Sequence, residues 1–130
     1  MSTQSTEILR QYLSSVSKLD PDHSLSMFAA DATVSTPMMD NRPLVMPMAA
    51  AAEAYRKVYS LFAELKWSEL SIYGTDDPEL AIARCTGTGK CANGRPYQNF
   101  YAIFLRARNG KIVELTEFFS PTRSAVLFEK

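Results

Sequence analysis

The sequence predicts an α+β fold in which helices come first and an antiparallel sheet follows. Three observations predict it. Ile8, Leu9, Tyr12, Leu13 and Val16 recur at helical spacing near the start of the chain. From Lys66 onward the pattern becomes long β-prone runs of alternating residues. Asn93-Gly94 and Asn109-Gly110 fall between those runs, and these are dipeptides that tight hairpins favour.

Taken in order, residues 4–18 should form an amphipathic helix. Asp20-Pro21 supplies an N-cap and a proline at the first helical position, opening a short second helix that runs to about Phe28. Ala32–Thr36 is a short strand ended by Pro37. Residues 37–48 hold three prolines and the methionines Met38, Met39, Met46 and Met48, and read as a loop. Ala49–Leu65 reads as a helix with Tyr55, Val58, Tyr59, Phe62 and Leu65 on one stripe. Strands follow over Lys66–Tyr73, Leu80–Lys90, Tyr97–Arg108 and Lys111–Ser120, the first closed by the turn Gly74–Pro78 and the last by Pro121. Neighbouring strands with tight turns make a meander. No repeat, linker or low-complexity segment divides the chain, so residues 1–130 read as one domain.

Composition narrows the function. Hydrophobic residues make up 46% and charged residues 22% of 130, enough to build a core. Lys+Arg and Asp+Glu both number 14, which leaves no basic excess to neutralise phosphates. Nucleic acid and anionic membrane are therefore excluded as main partners. Near-zero net charge also leaves little repulsion against self-association. Cys85 and Cys91 are too few for a disulfide framework or a four-ligand zinc site, and His23 is the one histidine, which excludes a multi-histidine metal site. His23 begins a short helix and reads as solvated. The polar N-terminus lacks a leader pattern and no apolar run is long enough to span a bilayer, so a cytoplasmic protein with reduced thiols is expected. No phosphate loop or dinucleotide fingerprint is present, and no cofactor is expected.

The last strand carries the strongest chemical signal. One parity holds Val113, Leu115, Glu117 and Phe119; the other holds Ile112, Glu114, Thr116 and Phe118. Glu117 thus shares its face with apolar residues. A carboxyl group so placed is costly to ionise, and its pKa should rise into the range a general acid or base needs. Two readings are open: a proton-transfer group, or an acid at a rim or paired with an arginine. On the preceding strand Asn99 and Tyr101 share a parity with Tyr97, Ile103 and Leu105, and are either donors into a cavity or satisfied core groups. The small residues Ala81, Ala83, Cys85, Gly87 and Gly89 leave room on one face for a helix or a ligand. The methionine-rich segment is either an adaptable apolar lip or core filling. Apolar residues on both parities (Phe100, Phe104 and Phe118 opposing Tyr101, Leu105 and Phe119) predict a homodimer through the sheet.

Tyr12 to Pro37, with Phe28-Ala-Ala-Asp-Ala-Thr-Val-Ser-Thr-Pro37, is similar to the opening of the ketosteroid isomerases. Trp67, Thr75-Asp-Asp-Pro78, Cys85, Gly87-Thr-Gly-Lys90, Asn99, Asn109-Gly-Lys-Ile112 and Glu117-Phe118 resemble the phenazine biosynthesis A/B proteins. Nearly the whole chain thus resembles the SnoaL-like and ketosteroid isomerase-like proteins. The resemblance implies the cone-shaped nuclear transport factor 2-like (cystatin-like) fold, with N-terminal helices packed on a curved antiparallel sheet. It places the isomerase's oxyanion tyrosine on Tyr12 and its base aspartate on Thr36, which is not an acid. The isomerase's second acid falls near Tyr101 or Ile103. The phenazine proteins' last-strand glutamate falls on Glu117, and Tyr55 and Arg56 stand where those proteins carry a histidine.

The expected function is a cofactor-independent acid–base enzyme, an isomerase, cyclase or dehydratase, acting on a small hydrophobic or aromatic secondary metabolite. Glu117 would move the proton, with Tyr12 as the second catalytic group. Asn99, Tyr101 and Thr36 would bind substrate, and Trp67, Phe119 and Met38 would supply apolar walls and lid. The alternative is a non-catalytic carrier of hydrophobic ligands with the same fold.

Overall fold

The computed structural model describes residues 3–39 and 42–130, and side chains for residues 3–36 and 44–130. The elements run α1 (Gln4–Ser17), α2 (Pro21–Ser26), β1 (Phe28–Met39), β2 (Arg42–Pro47), α3 (Met48–Ser60), β3 (Phe62–Gly74), β4 (Leu80–Cys91), β5 (Pro96–Arg108), β6 (Lys111–Phe118) and α4 (Pro121–Ser124), followed by a 3-10 turn at Ala125–Phe128. The six strands form one sheet in the order β2-β1-β6-β5-β4-β3. The meander β3 to β6 is antiparallel as expected. β1 runs parallel to β6 and antiparallel to β2. The result is the α+β class, with helices against one face of a curved, unclosed sheet.

Local chemistry explains the helix ends. Thr3 caps α1 and exchanges side-chain and backbone hydrogen bonds with Thr6, which satisfies two otherwise unpartnered amides. Asp20 caps α2 through the His23 amide at 3.1 Å. Asn109 and Gly110 both have positive φ, 54° and 78°, which is what a two-residue hairpin between β5 and β6 requires.

The structure differs from the sequence reading at several element bounds, β6 ending at Phe118 and not Ser120 among them, and at one bulge. The strand at residues 32–36 begins at Phe28 and runs through Pro37 to Met39. Pro37 is tolerated because the β1–β2 register slips between Thr36 and Met39. Residues 42–47 are a strand rather than loop; β2 is at the sheet edge, where proline costs least. The long helix stops at Ser60, and Phe62 to Leu65 open β3 instead. Leu65 is still buried, because its strand parity turns it inward. Finally, Val113 is an extra residue on β6: Ala107 pairs with Ile112, while Arg106 pairs with Glu114. This bulge puts Ile112, not Val113, on the buried face with Leu115.

The core lies between α1 and the inward residues of the sheet. Leu9, Tyr12 and Leu13 meet Val34, Ala81, Ala83, Ile103, Leu105 and Leu115, all buried. Ala81 and Ala83 are small enough for the helix to lie close to β4, which answers the question of what fills that space at these two positions. Trp67 donates its indole N–H to the Leu13 carbonyl at 2.7 Å and ties the end of α1 to β3. Cys85 and Cys91 are both free thiols and both buried. No described helix is long and apolar enough to cross a membrane.

Candidate active site

Glu117 is the last inward residue of β6 before the strand ends at Phe118. Ile103 lies opposite it on β5. On its other side Thr36 is one step beyond the Ser35–Thr116 pair of β1 and β6, so the two side chains are neighbours in register. The buried end of Glu117 faces the helices. The Tyr12 hydroxyl of α1 donates to Glu117 Oε1 at 3.3 Å. Tyr55 of α3 shares a 2.6 Å hydrogen bond with the same Tyr12 hydroxyl. Tyr12 packs edge-on against Phe28, and Tyr55 stacks on Tyr59 with ring centroids 5.6 Å apart. Tyr59 reaches Ser24, Ser24 reaches Ser15, and Ser15 donates to the Tyr12 carbonyl, at 2.6–2.8 Å throughout. Every polar group in this buried patch is thus partnered.

The carboxyl of Glu117 is less well provided for. A good hydrogen bond to a carboxylate is about 2.5–2.7 Å between oxygens, and 3.3 Å is well beyond that. Burial therefore outweighs the tyrosine's help. The pKa of Glu117 rises from 4.5 to about 7, driven by desolvation and opposed by the Tyr12 hydrogen bond. Among the described residues only Oε1 has a partner. Glu117 as a whole is half-buried, and among the described residues no fully buried side-chain oxygen lacks a partner, so Oε2 is not a sealed, unpartnered atom. The carboxyl group is neither sealed in the core nor set in bulk water: Glu117 is half-buried, with Oε1 held by Tyr12.

The tyrosines around it stay protonated. Burial pushes the Tyr12 and Tyr55 hydroxyls well above their usual range, and the charge of Glu117 pushes them further. Burial likewise pushes the Cys85 thiol up to about 12, again with a contribution from Glu117. At neutral pH these groups are neutral hydrogen-bond donors, and Glu117 is the one among them that changes charge.

A second aromatic cluster sits beside the first on the inward face. Tyr101 meets Trp67 edge-on at 5.1 Å and Phe119 at 5.8 Å, and its hydroxyl bonds to Tyr97. Gly87 makes this possible, because a Cβ there would come within 2.9 Å of the Tyr101 ring and 3.1 Å of Trp67. Asn99 is fully committed. Its Oδ1 accepts from the amides of Phe100 and Ser120, and its Nδ2 donates to the Ser120 carbonyl and the Tyr97 hydroxyl. Asn99 therefore has no hydrogen-bonding capacity left for a substrate, contrary to one sequence expectation; it anchors the chain that leads from β6 past Phe119.

The SnoaL-like domain is matched over residues 9–115. The chain belongs to the SnoaL-like domain family. This SnoaL-like chain also superposes on solved structures of the same fold. A Bacillus subtilis protein provisionally named an isomerase aligns at 19% identity over 96% of this chain and 92% of its own, with a TM-score of 0.84. A phenazine biosynthesis-related protein of Pseudomonas aeruginosa aligns at 22% identity over 93% and 82%, with a TM-score of 0.69. A nuclear transport factor 2-like protein of Burkholderia xenovorans aligns at 19% identity over 99% of both chains, with a TM-score of 0.70. At these identities the likeness is one of fold, and the fold is the one the sequence resemblance implies. No curated protein matches the sequence.

Within the SnoaL-like fold the expected site residues divide into groups. Glu117, Tyr12 and Thr36 come together at the end of β6. Tyr101, Trp67 and Phe119 form the adjoining aromatic wall. Met38 is on β1, but its side chain lies outside the described residues. Tyr55 was read as a member of a helical stripe and as standing, with Arg56, where the phenazine proteins carry a histidine, and the structure makes it the partner of Tyr12. A fully buried phenol needs a partner for its hydroxyl, and that is the signal that could have found it.

A groove of about 830 Å³ opens across the middle of strands β3 to β6. Arg84, Phe100 and Phe118 on its lining are exposed residues of the outward parity, and Glu117 is not part of it. Cys85, Tyr101 and Phe119 of the inward parity also line it, so the groove borders the aromatic wall as well as the outer face.

Proposed function

We propose that this SnoaL-like protein is a cofactor-independent acid–base enzyme, an isomerase, cyclase or dehydratase, acting on a small hydrophobic or aromatic metabolite. The observation that carries the reading is half-buried Glu117 on the inward face, with one oxygen held by Tyr12 and a pKa raised by burial to about 7. Such a group exists in both forms at neutral pH. As carboxylate it takes a proton from a carbon next to a carbonyl; as acid it returns that proton to another position. Tyr12, backed by Tyr55, steadies the carboxyl and supplies a neutral donor close to the developing negative charge. Tyr101, Trp67, Phe119 and Thr36 border the reacting molecule. Solved relatives of the fold that are provisionally named an isomerase and a polyketide cyclase support the same class.

The test uses 2-tetralone, a small aromatic ketone with exchangeable α-protons, in deuterated buffer followed by NMR. The native protein should speed exchange, and Glu117→Gln should lose about 10²- to 10⁴-fold of that acceleration. Equal exchange by both proteins contradicts the reading. It favours the carrier alternative, in which Glu117→Gln leaves ligand binding intact.

The same reading includes a homodimer through the outer face of the sheet. Leu70, Tyr73, Phe100 and Phe118 are exposed there, and Arg84 and Glu69 line the same groove with opposite charges that a second copy could pair. Sedimentation at micromolar concentration should report a dimer, and Phe118→Glu should give monomers. A native protein that sediments as a monomer contradicts this.

A further inference from the structure

The chain past β6 is tied at both ends and loosely held between them. β6 stops at Phe118, opposite Ala102, so among the described residues the stretch of β5 from Pro96 to Tyr101 has no strand on its β6 side. Residues 120–130 run along that flank instead. At the near end the buried Asn99 takes both backbone groups of Ser120: its Oδ1 accepts from the amide and its Nδ2 donates to the carbonyl, each at 3.0 Å. At the far end two exposed residues of the β4–β5 turn hold on. Asn93 donates to the Val126 and Glu129 carbonyls at 3.0 and 2.6 Å. Arg95 donates to the Lys130 carbonyl at 3.0 Å and pairs with Glu129 at 3.3 Å. Between these ties Leu127 is the one buried side chain from Pro121 to Lys130, and it closes over Leu65, Cys91 and Tyr97. Arg123 lies over the exposed Phe100 ring at 5.1 Å. A cleft of about 450 Å³ runs beneath, lined by Thr122, Arg123 and Val126 of this segment and by Pro96, Tyr97 and Gln98 of β5.

We propose that residues 121–130 are a gate that swings open about Ser120 while the sheet stays folded, and that its opening uncovers Tyr97 and admits the ligand to the aromatic wall. A segment with one buried apolar side chain and solvent-exposed hydrogen bonds opens at a far smaller cost than the whole domain. The two ties differ in the same sense. Asn99 makes its bonds inside the protein, where water competes little, and Asn93 and Arg95 make theirs at the surface. The far end therefore parts first, and Ser120 is the pivot. What lies beneath leads to the wall. Tyr97 lines the cleft, and its hydroxyl bonds to that of Tyr101, which meets Trp67 and Phe119. The opening follows from the fold alone; the ligand step rests on the reading of that wall as the substrate side.

Cys91 reports the motion, because it is buried beneath Leu127, and cuts after Arg84 and Lys90 put it and Cys85 on separate tryptic peptides. The whole protein is labelled with iodoacetamide, digested and read by mass spectrometry. Cys91 should be labelled at a rate that hardly changes as urea rises toward the unfolding transition, the mark of a local opening that exposes little surface. Leu127→Ala should speed that labelling about tenfold or more, since it removes the buried contact. Asn93→Ala, at an exposed position that leaves the core intact, should speed it about two- to tenfold. Excess 2-tetralone should slow it about threefold or more in the native protein, because a ligand behind the segment favours the closed form. A Cys91 rate that follows global unfolding in urea, one that neither variant raises, or one that 2-tetralone leaves unchanged overturns the proposal. The outcome is separate from the exchange test. Exchange of 2-tetralone that ignores Glu117, with local labelling that the variants speed and 2-tetralone slows, removes the acid–base reading and leaves the gate standing. Glu117-dependent exchange with labelling that follows global unfolding does the reverse.

Discussion

Acidic side chains at two places on the sheet meet opposite fates. Asp77 and Glu79, in and beside the turn before β4, sit among the guanidinium groups of Arg106 and Arg108 at 2.6–3.0 Å. Those hydrogen bonds hold both carboxyls below their usual range. Glu117, on the inward face of β6, has a tyrosine hydroxyl at 3.3 Å and, among the described residues, no guanidinium, and burial drives it the other way, to about 7. The first arrangement keeps charge fixed and fastens a turn to strand β5. The second leaves charge undecided at neutral pH, which is of no use for holding a fold together and suits moving a proton. The chain therefore shows what a structural acid looks like on the same sheet as the candidate catalytic one.

Several changes should break or sharpen this contrast. The largest effect is expected from Glu117→Gln, with the loss in 2-tetralone exchange described above and a fold unchanged by circular dichroism. Next, Thr36→Arg places a guanidinium beside Glu117 and should convert it into an acid of the first kind. Its pKa should fall by about one to three units, and the pH dependence of exchange should move down with it. Tyr12→Phe removes a hydrogen bond that favours the carboxylate, so the Glu117 pKa and the pH profile should move up.

Stability should register the same contrast more gently. Glu117 holds its proton more tightly folded than unfolded. Between about 4.5 and 7 the folded state binds more protons, so this group's contribution is fully present below 4.5 and is lost as pH rises through 7. Glu117→Gln should therefore be more stable than the native chain at pH 8, by ~1–3 kcal/mol in urea unfolding. That advantage should shrink toward pH 5. Arg106→Met, at the other end of the contrast, should lower the melting temperature slightly and leave exchange unchanged. A large loss of exchange in that variant would show that the two regions are not independent.

Much of this was legible in the sequence, and the misses have physical causes. The meander and its hairpins follow from alternation and from Asn-Gly turns, and both signals are local. β2 was hidden because prolines and methionines argue against a strand, and only its edge position beside β1 makes it one. The end of α3 was hidden because Leu61 closes the helix without a glycine or proline to mark it. The inward face of β6 was read correctly at Leu115 and Glu117 and wrongly at Val113, since a bulge depends on the partner strand. For the site, Glu117 stood out as an acid with apolar neighbours. Tyr55 did not, because a tyrosine on a helical stripe has the same pattern whether its hydroxyl meets solvent or, as here, Tyr12 across the core. Asn99, left open in the sequence between a donor into a cavity and a satisfied core group, is satisfied: two of its four hydrogen bonds are made with Ser120, whose place beside β5 no spacing rule supplies.

The most direct test is the titration of Glu117 itself. Carbon-13 NMR of the side-chain carboxyls, with Glu117→Gln to assign the resonance, reports its midpoint in the folded protein. A midpoint near pH 7 is the predicted result. A midpoint at the ordinary value of 4.5 would mean that water or an unseen partner stabilises the charge, and would contradict the account.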